Sequence, residues 1–482
     1  MIPVVIHWTP LWPTTLRAPA WFRCKFRGAI PAPSSGSHIG AMLAPSFAVF
    51  QLVAITHVTA IDVARGTARP DMTVLIDGPR ITAVGASAST VIPGGARRID
   101  GRGKWLIPGL WDMHVHSTVP TGRALLALYV ANGVTGVRDM GGDFATIRRW
   151  REEIATGTLP GPRIVAAGPY LEGRSSPIAH IEVHTPDDAR RAVDSLTVLG
   201  VDFVKVHSAL PRETFFAAAR EARRKHLALA GHLSRNVTVV EASDSGQRSL
   251  EHLLGFVNVC SPAESLSFAA ADPLRRIVFN SCTSRDQHAV YAHLARNGTW
   301  VTPTLTPAWE FAVLPKHDVP GDSLGRFVSD SLRAYMVSIF DPPPNLPPDA
   351  NILGQRMFAK RHELVLALHR AGVPLLSGTD APMRNSPPGF GLHEELLEFV
   401  RSGLTPTAAL RTATYEPARY LGALDSLGTI AKGKLADLVL LDADPRVDIA
   451  NTRRIAAVFT RGRVYDRAAL DQLLAEAKRA AR

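Results

Sequence analysis

Eight short apolar segments, five of them running into a candidate ligand, constrain this chain more than any other feature. They are residues 106–116, 133–139, 162–168, 201–207, 227–232, 249–252, 299–304 and 373–380. Their length suits buried strands. The stretches between them, such as 121–131, 212–225 and 357–371, space their apolar residues as helices do. Eight strands alternating with helices predict an α/β chain folded as a (β/α)8 TIM barrel, in which chemistry gathers at the carboxyl ends of the strands. Polar residues stand toward that end: His114 and His116, His232, His252 and Asp380, of the kinds that bind metals, and Lys205 within a β-branched run. In a strand, residues two apart share a face, so His114 and His116 point the same way and offer half of a transition-metal site.

The flanks read differently. Residues 52–59, 73–76 and 81–84 look like strands, with a turn at Asp77-Gly78-Pro79; residues 436–442 and 456–464 repeat the pattern with Gly462 at a turn. The expected organisation is a small β-sandwich formed by the two chain ends (49–107 and 428–468), a barrel over 108–427 and a C-terminal helix over 469–482. Residues 1–48 are rich in Pro, Ser and Gly without a clear period and read as a leader, disordered or signal-like. The apolar run from Met42 resembles a signal-peptide core but lacks a convincing cleavage site. The cytoplasm is the expected compartment, with export through that run as the alternative.

Of the net charge of +11, Arg17, Arg23, Lys25 and Arg27 sit in the leader, and the other cations are scattered as on solvated helix faces. This argues against a nucleic-acid partner, and no apolar stretch reaches the roughly 20 residues of a membrane span. Three cysteines, Cys24, Cys260 and Cys282, are too few and too scattered for a disulfide framework or a paired-cysteine metal site.

The stretches Pro-Gly-Leu-Trp-Asp-Met-His114-Val-His116, Phe-Val-Lys205-Val, Gly-His232, Leu-Glu-His252 and Ser-Gly-Thr-Asp380-Ala-Pro together resemble the amidohydrolase superfamily. Gly428-Thr-Ile-Ala-Lys-Gly-Lys-Leu-Ala-Asp-Leu-Val-Leu-Leu-Asp442 is similar to that family's sandwich signature. The chain looks most like the branch holding imidazolonepropionase-like enzymes and metal-dependent Xaa-Pro dipeptidases. The resemblance implies two divalent metal ions, zinc fitting the ligand set. His114 and His116 would hold the first ion and His232 and His252 the second. Lys205, carboxylated by carbon dioxide, would bridge them as a carbamate. Asp380 would bind the first metal and act as general base and then general acid, while a bridging hydroxide attacks the carbon of an amide bond.

The implied substrate is a small amide, such as an Xaa-Pro dipeptide or an N-acyl amino acid, and a homo-oligomer is compatible with the sequence. His180, His207, Tyr170 and Arg138 are the candidates for substrate contact, with Arg174, Arg235 and Arg384 as further cations near strand ends; His393 reads as a residue on a helix face. Two rivals stand beside this reading. One is a mononuclear cyclic-amide hydrolase or deaminase that does not need Lys205. The other is a barrel that binds ligand without catalysis, which the full set of predicted ligands disfavours.

Overall fold

The structure, a computed structural model, describes residues 52–256, 284–308, 325–340, 350–383 and 387–482. The expected leader 1–48, the three cysteines and Arg384 lie outside the described residues. Among the described residues, seventeen strands run in chain order. They are β1 (Val53–Asp62), β2 (Thr67–Asp77), β3 (Arg80–Ala86), β4 (Arg97–Asp100), β5 (Trp105–Pro108), β6 (Leu110–Val115), β7 (Val134–Asp139), β8 (Arg163–Ala166) and β9 (Tyr170–Glu172). There follow β10 (His180–Glu182), β11 (Phe203–Val206), β12 (Ala228–Gly231), β13 (Gln247–Glu251), β14 (Trp300–Thr302), β15 (Leu438–Leu441), β16 (Ile455–Thr460) and β17 (Arg463–Asp466).

Both chain ends enter one eight-stranded mixed sheet, ordered β17-β16-β15-β5-β1-β2-β3 with β4 paired to β1. The ends meet where β5 lies antiparallel to β15, Leu106 opposite Leu440. The far edge returns through a bridge between Arg80 and Leu435. Val53, Ile55, Val58, Val74, Ile76, Leu106, Leu438, Leu440 and Phe459 pack into a core of their own along this sheet. The segment expected at 456–464 is two strands, β16 and β17, hinged at the turn around Gly462.

The middle of the chain forms parallel ladders. One is β6-β7-β8 and the other β10-β9-β11-β12-β13-β14. Every residue of β6, β7, β8 and β11 is buried, as strands covered on both faces require. Side-chain alternation sorts them into two layers. Ile164, Val204, Leu229, Leu250 and Val301 pack with helical Leu126, Phe215, Ala218 and Val365, whereas Val165, Phe203, Ala230 and Trp300 pack with Leu376, Tyr420 and Leu421. Lys205 lies two residues beyond Phe203 and so belongs to that second face.

The eighth expected segment, 373–380, is not a named strand. It is held by two parallel bridges, Val301 to Leu375 and Val115 to Ala381. The strands β9 and β10, which the apolar pattern did not suggest, carry Tyr170, Glu172 and His180.

Local chemistry explains the helix ends. Asp143 caps Phe144–Thr156, and Thr185 with Asp188 forms a reciprocal capping box before Pro186–Leu199. The helix expected from residue 357 begins earlier, as Ala350–Arg370, and the C-terminal helix spans Arg467–Ala480.

Candidate metal centre

His114 closes the apolar run of β6, while His232 and His252 follow the last residues of β12 and β13. The imidazoles converge. Ring centroids lie 5.6 Å apart for His114 and His116, 4.5 Å for His114 and His252, and 4.7 Å for His232 and His252. Asp380 Oδ1 stands 3.3 Å from Nε2 of both His114 and His116. These three residues are grouped closely enough to share one ion.

The backbone bends to bring them there. His252 and Asp380 take φ of 63° and 56°, the left-handed region that non-glycine residues enter at a cost. Glycine makes room twice. A Cβ on Gly378 would stand 2.7 Å from His114 Cβ, and one on Gly231 (φ +123°) would stand 2.2 Å from the Val206 carbonyl oxygen and 2.9 Å from Lys205 Cγ.

Each histidine uses Nδ1 to fasten itself to the protein. His114 Nδ1 donates to Glu251 Oε2 at 2.9 Å and His116 Nδ1 to the Gly141 carbonyl at 3.0 Å. His252 Nδ1 meets Thr304 Oγ1 at 2.7 Å; that hydroxyl gives its own proton to the Pro303 carbonyl, so the imidazole is the donor. His232 Nδ1 pairs with Ser208 Oγ at 2.9 Å. With Nδ1 engaged in each ring, Nε2 is the nitrogen left free to ligate, and for His114 and His116 it faces Asp380, which is how a carboxylate or carbonyl behind a histidine prepares it for a metal. His114 Nε2 is fully buried and makes no hydrogen bond among the described residues. A buried ring nitrogen without a partner is costly, and a divalent cation would satisfy it. The donor set therefore fits a metal.

Residues 105–465, well over half of the chain, match the Amidohydrolase family. The chain belongs to the amidohydrolase family. It is 39% identical over 82 residues to an imidazolonepropionase of Aromatoleum aromaticum, covering 17% of this chain and 20% of that protein. It is 25% identical over 287 residues to a dihydroorotase of Staphylococcus epidermidis, covering 55% and 63%. The chain thus spans only a fifth of the curated imidazolonepropionase it matches. Among solved structures, a bottromycin amidohydrolase superposes with a TM-score of 0.72 at 24% identity, covering 89% of this chain and 90% of that one. A Xaa-Pro dipeptidase with bound methionine superposes at 0.63 and 20% identity, covering 86% and 100%. At these identities the superpositions speak for the fold.

In this amidohydrolase-family chain Lys205 is buried, with its Nζ 5.3 Å from the centre of the Tyr170 ring and no carboxylate within ion-pair distance among the described residues. Burial pulls its ammonium down to about 8, against the pull of Asp380 and Glu251. Burial likewise holds His232 and His252 well below the usual histidine range, in the neutral form that ligates metals. For Asp380 burial opposes ionisation, but His114 and His252 beside it outweigh that and hold the carboxyl well below its usual value.

A second row of side chains stands next to these. His207 stacks on Tyr170 at 4.9 Å and lies 3.9 Å from the His232 ring, and His180 is 6.1 Å from Tyr170. His207 Nδ1 donates to Glu172, which is buried and also accepts from the amides of Gly173 at 2.7 Å and Ala209 at 3.0 Å.

Arg138 corrects the expectation placed on it. Instead of waiting for a substrate carboxylate, it is fully buried and spends its donors inside the protein, on Met113, Ser249, Tyr420, Glu251 and Thr302. Arg174 and Arg235 are exposed. His393 sits on the helix Phe390–Arg401, on its buried side, against Thr452 and the Asn132 carbonyl. Glu251, Glu172, Ser208 and Thr304 were missed. Glu251, directly before His252 in Leu-Glu-His, was the one with a visible signal.

Proposed function

We propose that this protein is a metal-dependent hydrolase that cleaves a carbon–nitrogen amide bond in a small substrate. The observation that supports it best is the convergence of Nε2 of His114 and His116 on Asp380, each imidazole fastened through Nδ1 and the buried Nε2 of His114 left without a hydrogen-bond partner among the described residues. In this reading the parallel ladders close as one (β/α)8 barrel, supported by the bridges from Val301 to Leu375 and from Val115 to Ala381, over about residues 108–427. The sheet of the two chain ends is then a separate β-unit.

His114, His116 and Asp380 would hold one divalent ion and His232 and His252 a second, with zinc suited to these ligands. Lys205 is buried beside Tyr170 without a carboxylate partner among the described residues; its neutral amine nitrogen would bond the carbon of carbon dioxide and release a proton, leaving a carbamate that would offer anionic oxygens as ligands. When bound, the ions would supply Lewis acidity and a water of lowered pKa. Asp380, with Oδ1 turned to the ion site, would accept a proton from the attacking water at Oδ2 and return it to the leaving nitrogen. Tyr170, His180 and His207 would form the wall facing the substrate, with an Xaa-Pro dipeptide or an N-acyl amino acid as the best-fitting classes.

Elemental analysis of protein purified with bicarbonate and without chelator tests this, together with turnover of Xaa-Pro and N-acyl amino acid panels. About two ions per chain and metal-dependent turnover are expected; failure to bind metal even after adding it back would overturn the reading. One ion would favour a mononuclear hydrolase of cyclic amides or amino-heterocycles. That second reading has its own support, because His114, His116 and Asp380 are the one compact ligand group among the described residues.

A further inference from the structure

We propose that Arg138 and Glu251 are positioning residues for the ion held by His114, His116 and Asp380: Arg138 orients Glu251, and Glu251 presents His114 Nε2 to the metal. This rests on the metal centre proposed above. Glu251 is wholly buried, and its two oxygens do separate work. Oε2 accepts from His114 Nδ1 at 2.9 Å and Oε1 from Ser249 Oγ at 2.6 Å, while Arg138 Nη2 reaches both at 2.9 Å. A carboxylate here can only accept, so His114 donates from Nδ1 and Nε2 is the nitrogen left for an ion.

Arg138 is itself locked. Its Nε donates to the Met113 carbonyl at 2.6 Å, Nη1 to Ser249 Oγ at 2.8 Å and Tyr420 Oη at 3.0 Å, and Nη2 also to Thr302 Oγ1 at 3.2 Å. The Tyr420 ring lies 5.0 Å from the guanidinium. One cation thereby ties β6, β7, β13 and β14 beneath a single imidazole. Lysine, a point charge without the planar fork, cannot reproduce this set. The chain thus carries a buried charge pair whose cost is offset by mutual bonding and whose geometry serves one ligand.

The test uses the full chain, stripped of metal and titrated with Co(II), with the visible spectrum and chelator competition as readouts and thermal melting of the metal-free protein as the folding control. In folded Arg138→Met, binding of one ion is expected to weaken about 10- to 100-fold, with a changed spectrum, while the other ion is bound as in the wild type. Arg138→Lys should restore little of it. Should Arg138→Met fail to fold, Ser249→Ala removes a single donor to Glu251 and should show the same selective weakening in smaller measure. Wild-type affinity and spectrum in either folded variant would overturn the positioning role, and so would equal weakening at both ions. A wild-type protein that binds no Co(II) would instead overturn the metal centre itself, which separates the two failures.

Discussion

Glu251 Oε2 lies 2.9 Å from His114 Nδ1, and the next residue, His252, places its ring 4.5 Å from the same imidazole. Neighbours in a strand point to opposite faces. Both reach His114 because the strand ends at Glu251 and His252 turns into the left-handed region. One dipeptide thus supplies a candidate ligand and the support of another ligand.

Lys205→Ala tests the carbamate. Wild-type protein equilibrated with 13C-bicarbonate should show a protein-bound carbamate resonance that the variant lacks, and the variant should hold fewer ions per chain. An unchanged metal content with full activity would favour the mononuclear reading.

Asp380→Asn keeps the shape of the side chain and removes its capacity to take a proton. The expected result is a fall in kcat of about 10²–10⁴-fold with a far smaller change in KM. Steady-state kinetics on the best substrate of the panel, with metal content measured alongside, checks this.

His207→Ala leaves the proposed ligands in place and removes the ring stacked on Tyr170. KM should rise about tenfold, equivalent to about 1.4 kcal/mol of lost contact, while metal content stays at the wild-type value. A loss of metal would instead make His207 part of the ion site.

Gly231→Ala should destabilise the chain by about 2–4 kcal/mol, since the new methyl meets the Val206 carbonyl at a φ of +123°. Denaturant midpoints measure the loss. Because the same methyl presses on Lys205 Cγ at 2.9 Å, the folded variant should also bind metal more weakly.

The acid limb of stability should carry a contribution from His393, which lies apart from the centre. Burial, with Arg453 adding to it, pushes this histidine down from 6.5 to about 3. Between those values the unfolded chain takes up a proton that the folded chain refuses, so stability is lost as the pH falls through this window, by about 1.4 kcal/mol per unit at most. His393→Gln should flatten the limb between pH 6.5 and 4, read as the difference between variant and wild-type urea melts. Parallel limbs would rule out this contribution.

The periodicity of apolar residues located the strands β7, β8, β11, β12, β13 and β14 to within a few residues, because buried parallel strands leave an almost uninterrupted apolar run. It also put His114 and His116 at the end of β6 and Lys205, His232 and His252 at or just beyond the ends of β11, β12 and β13, since a strand that stops at a polar residue shows it in the text. β9 and β10, each three residues long, were too short to leave a period, and with them Glu172 was lost. Segment 373–380 read as a strand from its composition yet makes only isolated bridges.

The succession of strands along the chain and the residue types at their ends were legible in the sequence alone, because both depend on residues near one another in the chain. What Arg138 does was decided only by the tertiary structure. A cation near a strand end can meet a substrate or a buried acid, and here Glu251, 113 residues away in sequence, claims it. Which histidine nitrogen is tied to the protein was likewise beyond the sequence, since it depends on partners at Gly141, Ser208, Glu251 and Thr304 that only folding brings into contact.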